Sequence, residues 1–382
     1  MKRGRRLGAA GLIAAIALTA AIVLSPSAGA VAPDPNPWLQ NRFLNMAHQG
    51  GEDEAPSNTL FAFKSAIRDR GADTIELDVN LSKDGQLMVI HDDTWTRIAC
   101  TDALCPGPGS NTEPHRPDSE VNDLTKGQLQ ALDAGYWFRP GTYAHDYSLP
   151  DSAYPYRGVR TGEVRPPHGY KADDFKIPTL REVLDAFPRT AVNIEIKMIK
   201  TTTGTGGGCQ TQGGQTYCDD PAASIPVADA LAKLLDEPRY ANRTDLIVVS
   251  FSDELIDEFH AKDEGGNVAL APGVNDTTAF ALFGTTPDPG VAAFQVPPTQ
   301  LGIDVPQLLL QTRHAHELGY AVHVWTNGDQ DETAASYRHL YDLGVDGIMS
   351  SVPSRLATFL CANDIPRPDG KKRCNKNKLK RP

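Results

Sequence analysis

Short apolar runs alternate with longer amphipathic stretches over most of this chain. Residues 42–47 read as a strand ending at His48. Asn58 to Arg70 carries Leu60, Phe63 and Ile67 at helical spacing, with Ser57 as its N-cap and Gly71 closing it. Thr74–Val79 and Leu87–Ile90 follow as strands, then a short helix over Leu180–Phe187 and a strand over Val192–Lys197. Ala223–Leu235 predicts a helix, Leu246–Ser250 a strand, Val305–Leu318 a helix and Ala321–Trp325 a strand. Asp331–Leu343 predicts a helix and Asp346–Met349 the last strand. Repeated β–α alternation implies a parallel sheet with helical crossovers. The length and the number of repeats suit an α/β fold of the eight-stranded (β/α)8 TIM-barrel kind. A doubly wound sheet is the alternative, but no G-x-G-x-x-G follows the first strand.

Two stretches break the pattern. Residues 92–177, after the second strand region, are rich in Pro, Gly, Tyr and Asp, and too long for an ordinary βα loop. They are expected to roof a site at that end and to set specificity. Thr201–Asp220 is rich in Gly and Thr; its run Gly204–Gly208 lacks the Lys-Ser/Thr of a phosphate loop and reads as flexible loop.

The alternation of strand side chains carries the chemistry. In Ile75-Glu76-Leu77-Asp78-Val79 the odd positions face the helices, so Glu76 and Asp78 share the barrel interior. Asn193-Ile194-Glu195-Ile196-Lys197 repeats the design, with Glu195 and Lys197 inward. Carboxylates buried together need cationic company. A hard divalent cation with oxygen ligands meets that need most simply, and a salt-bridge network with Lys197 is the alternative. His48 and His91 each end a strand, where barrel enzymes hold their reactive groups. A histidine pair beside a cation supplies a general base and a general acid near neutral pH. Either histidine alone reads as structural, and the other eight read as structural or exposed.

Composition changes the picture little. Of 382 residues 40% are hydrophobic and 22% charged, which is globular. A formal charge of −11 argues against a nucleic-acid partner, whose phosphates need clustered Lys and Arg. The first thirty residues do change it. A basic start (Lys2, Arg3, Arg5, Arg6), an apolar run from Leu7 to Leu24 and the small-residue site Ala28-Gly29-Ala30 predict a cleaved signal peptide over 1–30 and a secreted protein. A retained membrane anchor is the alternative. Six cysteines in three local pairs then predict disulfides Cys100–Cys105, Cys209–Cys218 and Cys361–Cys374 in loops, since no zinc spacing is present. The expected organisation is the signal peptide, a barrel domain over 31–360 with its insert at 92–177, and a basic disulfide-containing tail over 361–382. That tail reads as a solvated terminus, or as a weak contact to an anionic surface.

The residues also resemble a known family. His48-Gln-Gly50, five residues, then Pro56-Ser-Asn-Thr59 is similar to the H-R-G-x5-P-E-N-T signature of glycerophosphodiester phosphodiesterases. Glu76-Leu-Asp78-Val79, Ser82-Lys-Asp84-Gly85 and Val89-Ile-His91-Asp92 are similar to the same family's central block, and Arg97 falls where members commonly have Arg. Ile196 in the N-x-E-x-K strand, Val324-Trp325-Thr326 and Gly344-Val-Asp346-Gly347-Ile348 extend the likeness. The resemblance implies a divalent cation, Ca²⁺ or Mg²⁺, held by Glu76, Asp78 and Glu195, with His48 and His91 as the acid/base pair. It implies hydrolysis of a small glycerophosphodiester to glycerol 3-phosphate and an alcohol, with Lys197 and Gln49 at the phosphate. Trp325 reads either as a wall for the substrate or as plain barrel packing. Gln49 for Arg, Ser57 for Glu and the shift of Asn to Asn327 depart from the pattern and bear on substrate choice. A phospholipase-D-like action on lysophospholipids or sphingolipids, or non-catalytic binding of glycerophosphate polymers, are the other readings.

Overall fold

Apolar side chains on every second residue set the architecture. In a computed structural model, which describes residues 36–39, 43–95, 99–101, 120–142, 149–212, 214–326, 328 and 331–374, the barrel strands are β1 (Leu44–Ala47), β2 (Thr74–Leu81), β3 (Ala191–Ile196) and β4 (Leu246–Val249). They continue with β5 (Ala269–Leu270), β6 (Ala293–Val296), β7 (Ala321–Trp325) and β8 (Gly347–Ser350). All eight pair in parallel in the order β6-β7-β8-β1-β2-β3-β4-β5. A bridge between Leu270 and Val291, with Ala292 N–H donating to the Leu270 carbonyl, brings β5 and β6 together and nearly closes the barrel. This is the expected (β/α)8 fold.

Ile75, Leu77, Val79, Ile194, Ile196, Val322, Val324 and Ile348 belong to one apolar layer between the strands and the outer helices. Each βα loop hands the chain to a helix, and several do so with the same device. Thr59, Thr179, Asp220, Ser252 and Thr333 cap helices Leu60–Arg68, Leu180–Ala186, Pro221–Leu235, Asp253–Lys262 and Ala334–Leu343, each accepting from a backbone N–H in the first turn. Thr59, not the expected Ser57, is the first cap, so the helix starts two residues later and Asn58 is freed for another task. Helices Val274–Phe283 and Pro353–Ala362 complete the ring. The expected helix over Val305–Leu318 is irregular: it stops at Thr312 and His314 turns to φ +55°. Among the described residues no helix is long and apolar enough to cross a membrane.

The inner face is filled by small and apolar side chains at the N-terminal end of the strands. Leu44, Met46, Ala269, Ala293, Ala321 and Met349 pack there with Trp38, while the Asn36 side chain donates to the Ala292 and Gly319 carbonyls. His323 lies in this plug, fully buried, its ring 5.8 Å from that of Trp38. Burial pushes its imidazole down from 6.5 to about 4. The unfolded chain therefore takes up a proton below pH 6.5 that the folded chain refuses until about 4. Stability is fully present above 6.5 and falls as the pH drops toward 4, by up to about 3 kcal/mol. His323→Leu should flatten that acid slope, read from urea midpoints at about pH 7 and 4.5.

In their described residues the two interruptions are built rather than loose. The strand Leu87–Val89 pairs antiparallel with β2, and residues after it form their own core around Trp95, Leu129, Trp137 and Tyr154. Ile199–Thr201, Gln210–Gln212 and Gln215–Asp220 form a three-stranded antiparallel sheet, so the expected flexible loop is in part a hairpin. Gly204, Gly206 and Gly208 lie against Cys218 and Asp219: a Cβ on Gly204 would overlap the Cys218 carbonyl, one on Gly208 would overlap the Asp219 carboxylate, and Gly206 N–H donates to the Asp219 carbonyl.

Disulfides join Cys209 to Cys218 and Cys361 to Cys374; Cys100 is also disulfide-bonded, while its expected partner Cys105 lies outside the described residues, as do 1–30, Arg97, Asn327 and 375–382. The first residues of the tail are not merely solvated. Arg373 is buried, donating to the Phe43 carbonyl and pairing with Asp73 at 2.6 Å, and Arg367 reaches the same carboxylate. Burial raises the Asp73 carboxyl against the pull of Arg373, so stripping the guanidinium leaves an uncompensated acid. Arg373→Met should cost about 3 kcal/mol in urea unfolding.

Candidate active site

Register places the acidic residues before any side chain is considered. Asp78 on β2 stands beside Glu195 on β3, and Glu76 beside Asn193. Ligand oxygens of Glu76, Asp78 and Glu195 all lie within 4.8 Å of one another, in the one such group among the described residues. Below them Asn193 and Gln295 exchange side-chain hydrogen bonds across the barrel, at 2.8 and 3.2 Å. Burial and the neighbouring Asp78 push the Glu76 carboxyl well above its usual range. Asp78 Oδ1 is buried and accepts no hydrogen bond, an orphan that a hard cation would satisfy. Three carboxylates, one with a buried oxygen that receives no hydrogen bond, fit a divalent cation better than they fit a closed salt-bridge network.

Lys197 offsets part of this charge. Its Nζ is 2.7 Å from Glu195 Oε1 and 3.7 Å from Asp78 Oδ1. Burial opposes the ammonium, but Glu195 and Asp78 outweigh it and raise its pKa. The same Nζ lies 3.2 Å from His91 Nε2, and His91 Nδ1 is 2.7 Å from Asp92 Oδ1.

His48 arrives from the opposite side on an unusual turn. Gln49, Gly50 and Gly51 all have positive φ. Glycine is required at Gly50, where a Cβ would lie 2.6 Å from that of Ala62. The turn directs Gln49 N–H to Glu76 Oε2 at 2.6 Å and puts His48 Nε2 4.0 Å from the same oxygen. His48 Nδ1 meets Glu52 Oε1 at 2.6 Å, and Ser351 Oγ donates to that oxygen at 2.7 Å. Burial disfavours the charged imidazole, but Glu52, Glu76 and Asp78 overcome it and push His48 up to about 10.

The structure thus brings His48, Glu76, Asp78, Glu195, Lys197 and His91 into one connected group. Gln49 joins through its backbone; its side chain is buried away. Trp325 ends β7 half-buried, packed on the inner cluster and edge-on to the exposed Phe251, ring centroids 6.1 Å apart. Three residues were not assigned from sequence. Asn58 donates to Asp78 Oδ2 at 2.8 Å and accepts from Asp78 N–H, fixing that carboxylate. Glu52 anchors His48, and Phe251 sits 5.8 Å beneath the Lys197 ammonium. Asn58 stood in the quoted Pro-Ser-Asn-Thr stretch, the one signal that pointed to it.

The sequence profile of the Glycerophosphoryl diester phosphodiesterase family matches residues 48–354, a span that starts at His48 and takes in every residue just placed. The chain belongs to that family. A glycerophosphodiester phosphodiesterase of Bacillus subtilis is 31% identical over 152 residues, 40% of this chain and 38% of the relative. A putative one from the same organism, YhdW, is 42% identical over 95 residues, 25% of this chain and 32% of the relative. The match therefore spans about a third of these bacterial relatives' length. The human lysophospholipase D GDPD1 is 24% identical over 84% of this chain and 88% of its own. Among solved structures, a putative glycerophosphoryl diester phosphodiesterase from Silicibacter pomeroyi superposes with a TM-score of 0.57 at 18% identity, covering 86% of this chain and 97% of that one. An Oleispira antarctica phosphodiesterase, solved with sn-glycerol-3-phosphate, gives 0.51 at 18% identity over 82% and 95%. These likenesses agree on the fold.

Proposed function

We propose that this chain is a secreted, divalent-metal-dependent phosphodiesterase that hydrolyses glycerophosphodiesters to glycerol 3-phosphate and an alcohol. The observation that carries it is the meeting of Glu76, Asp78 and Glu195 with His48 on one side and with Lys197 and His91 on the other. Glu76, Asp78 and Glu195 would hold the cation, which when bound supplies positive charge to nonbridging phosphoryl oxygens. Lys197 adds a fixed charge at the same place. Each imidazole has Nδ1 held by a carboxylate, Glu52 or Asp92, which turns Nε2 toward the acids and Lys197: His48 Nε2 lies 4.0 Å from Glu76 Oε2 and His91 Nε2 3.2 Å from Lys197 Nζ, and these are the nitrogens placed for proton transfer. One Nε2 takes the proton from the attacking oxygen as that oxygen bonds to phosphorus, the phosphorus–oxygen bond to the alcohol breaks, and the other Nε2 protonates the leaving oxygen. With water attacking, its hydroxyl ends on glycerol 3-phosphate and a proton on the alcohol; with a neighbouring hydroxyl of the glycerol attacking, a cyclic phosphate forms first and water opens it by the same two proton transfers.

The leader over 1–30 and the disulfides Cys209–Cys218 and Cys361–Cys374 support export. The insert over 92–177 follows His91 directly and so leaves the barrel on the side of the site; it is read as the roof that selects the alcohol. A lysophospholipid is the second substrate reading, favoured by Phe251, 47% exposed beside Trp325, and by the lysophospholipase D relative that matches along most of its length.

Incubation with glycerophosphocholine and with lysophosphatidylcholine, each in Ca²⁺, Mg²⁺ or chelator, tests the proposal. Release of glycerol 3-phosphate and choline from the first supports it. Turnover of the second alone selects the lipid reading, and ligand binding without turnover of either refutes a hydrolase.

A further inference from the structure

The C-terminal end of β6 leads into a small hairpin that the chemistry above does not use. Thr299 pairs with Asp304 and Gln300 with Ile303, leaving Leu301 and Gly302 as a two-residue turn. Both turn residues have positive φ, +51° and +79°. Such a turn favours Asn-Gly, because asparagine tolerates the left-handed region and leucine does not. Here a leucine takes the strained position and projects into solvent, 89% exposed, with Ile303 46% exposed beside it. Strain kept for the sake of an exposed apolar tip points to function, since asparagine would relieve it and keep the turn.

The base of the hairpin is firmly held. Val305 N–H donates to the Pro298 carbonyl, Asp304 caps the following turn at Gln307 N–H, and its other oxygen is 2.6 Å from His339 Nε2. The tip is therefore a fixed projection. It stands at the strand ends on which Asp78, Glu195, Phe251 and Trp325 also sit. Between Asp288 and Asp304 the chain carries no charge, although 22% of all residues are charged. Neutrality leaves nothing to attract an anionic surface and nothing to resist entry into an apolar one. Two aliphatic side chains are far too little for a stable protein interface, which needs about 800 Å² from each partner. They suit shallow insertion among lipid headgroups.

We propose that the Leu301–Ile303 tip inserts into a zwitterionic lipid surface and seats the active-site face of the barrel on it. The purpose assigned to this contact rests on the lipid reading of the substrate, but the contact itself requires no turnover. The test is flotation of the full chain with phosphatidylcholine vesicles, with and without phosphatidylglycerol. Wild type should float with pure phosphatidylcholine and gain nothing from the anionic lipid. Leu301→Asn should reduce partitioning about tenfold, with its melting temperature kept or raised and glycerophosphocholine turnover unchanged. Turnover of lysophosphatidylcholine presented in vesicles should fall with the partitioning. A wild type that ignores phosphatidylcholine vesicles, or Leu301→Asn that floats equally well, overturns the proposal. So does a dimer in light scattering that Leu301→Asn abolishes, because the tip would then serve a second copy. Vesicle binding by a chain that hydrolyses no diester would uphold this contact while refuting the hydrolase.

Discussion

Glu76→Gln should lower glycerophosphocholine hydrolysis by at least about 10³-fold and leave the barrel folded. The amide matches the carboxylate in size and still accepts from Gln49 N–H, so the turn carrying His48 keeps its anchor. What is lost is one of three charges that gather the cation. Burial and Asp78 already disfavour ionised Glu76, so without cation the variant should be as stable as wild type or more so. Thermal melting separates the two effects. Wild type should melt higher when Ca²⁺ or Mg²⁺ replaces chelator, by linkage of binding to folding, and Glu76→Gln should show little of that rise. An active variant, or an inactive one that keeps the full cation-dependent rise, would remove Glu76 from the role given to it.

His91→Asn should reduce turnover by about 10²–10⁴-fold, the range for loss of a positioned proton-transfer group. It should keep the cation-dependent rise in melting temperature, because His91 bonds Lys197 and Asp92 while the three carboxylates that would gather the cation are untouched by the substitution. The two variants thus fail differently, one in cation binding and the other in proton transfer. Activity within tenfold of wild type would show that His91 Nε2 moves no proton in the rate-limiting step.

Much of this site was legible because a strand has a period of two. Once Ile75, Leu77 and Val79 face the helices, Glu76 and Asp78 have one place to go, and Glu195 and Lys197 follow by the same rule. The contribution of the turn after β1 was not legible. Three successive positive φ values at Gln49, Gly50 and Gly51 have no periodic signature, and they decide that Glu52 meets His48 and that Asn58 reaches Asp78. Strands β5 and β6 escaped notice for a different reason. Leu270 ends a two-residue strand, and the inward positions Ala269 and Ala293 are too small to stand out from their neighbours. The charge run at Lys371–Arg373 gave no hint that Arg373 alone would turn inward, since its partner Asp73 lies three hundred residues earlier.

The central claim is that one cation, bound by these acids, is needed for hydrolysis of a glycerophosphodiester. Phosphorus NMR of glycerophosphocholine mixed with the chelated protein tests it most directly, as Ca²⁺ or Mg²⁺ is titrated back. The account predicts no change in chelator, and a glycerol 3-phosphate signal that grows with added cation and saturates. Hydrolysis that proceeds unaltered in chelator, or none at any cation concentration, would contradict it.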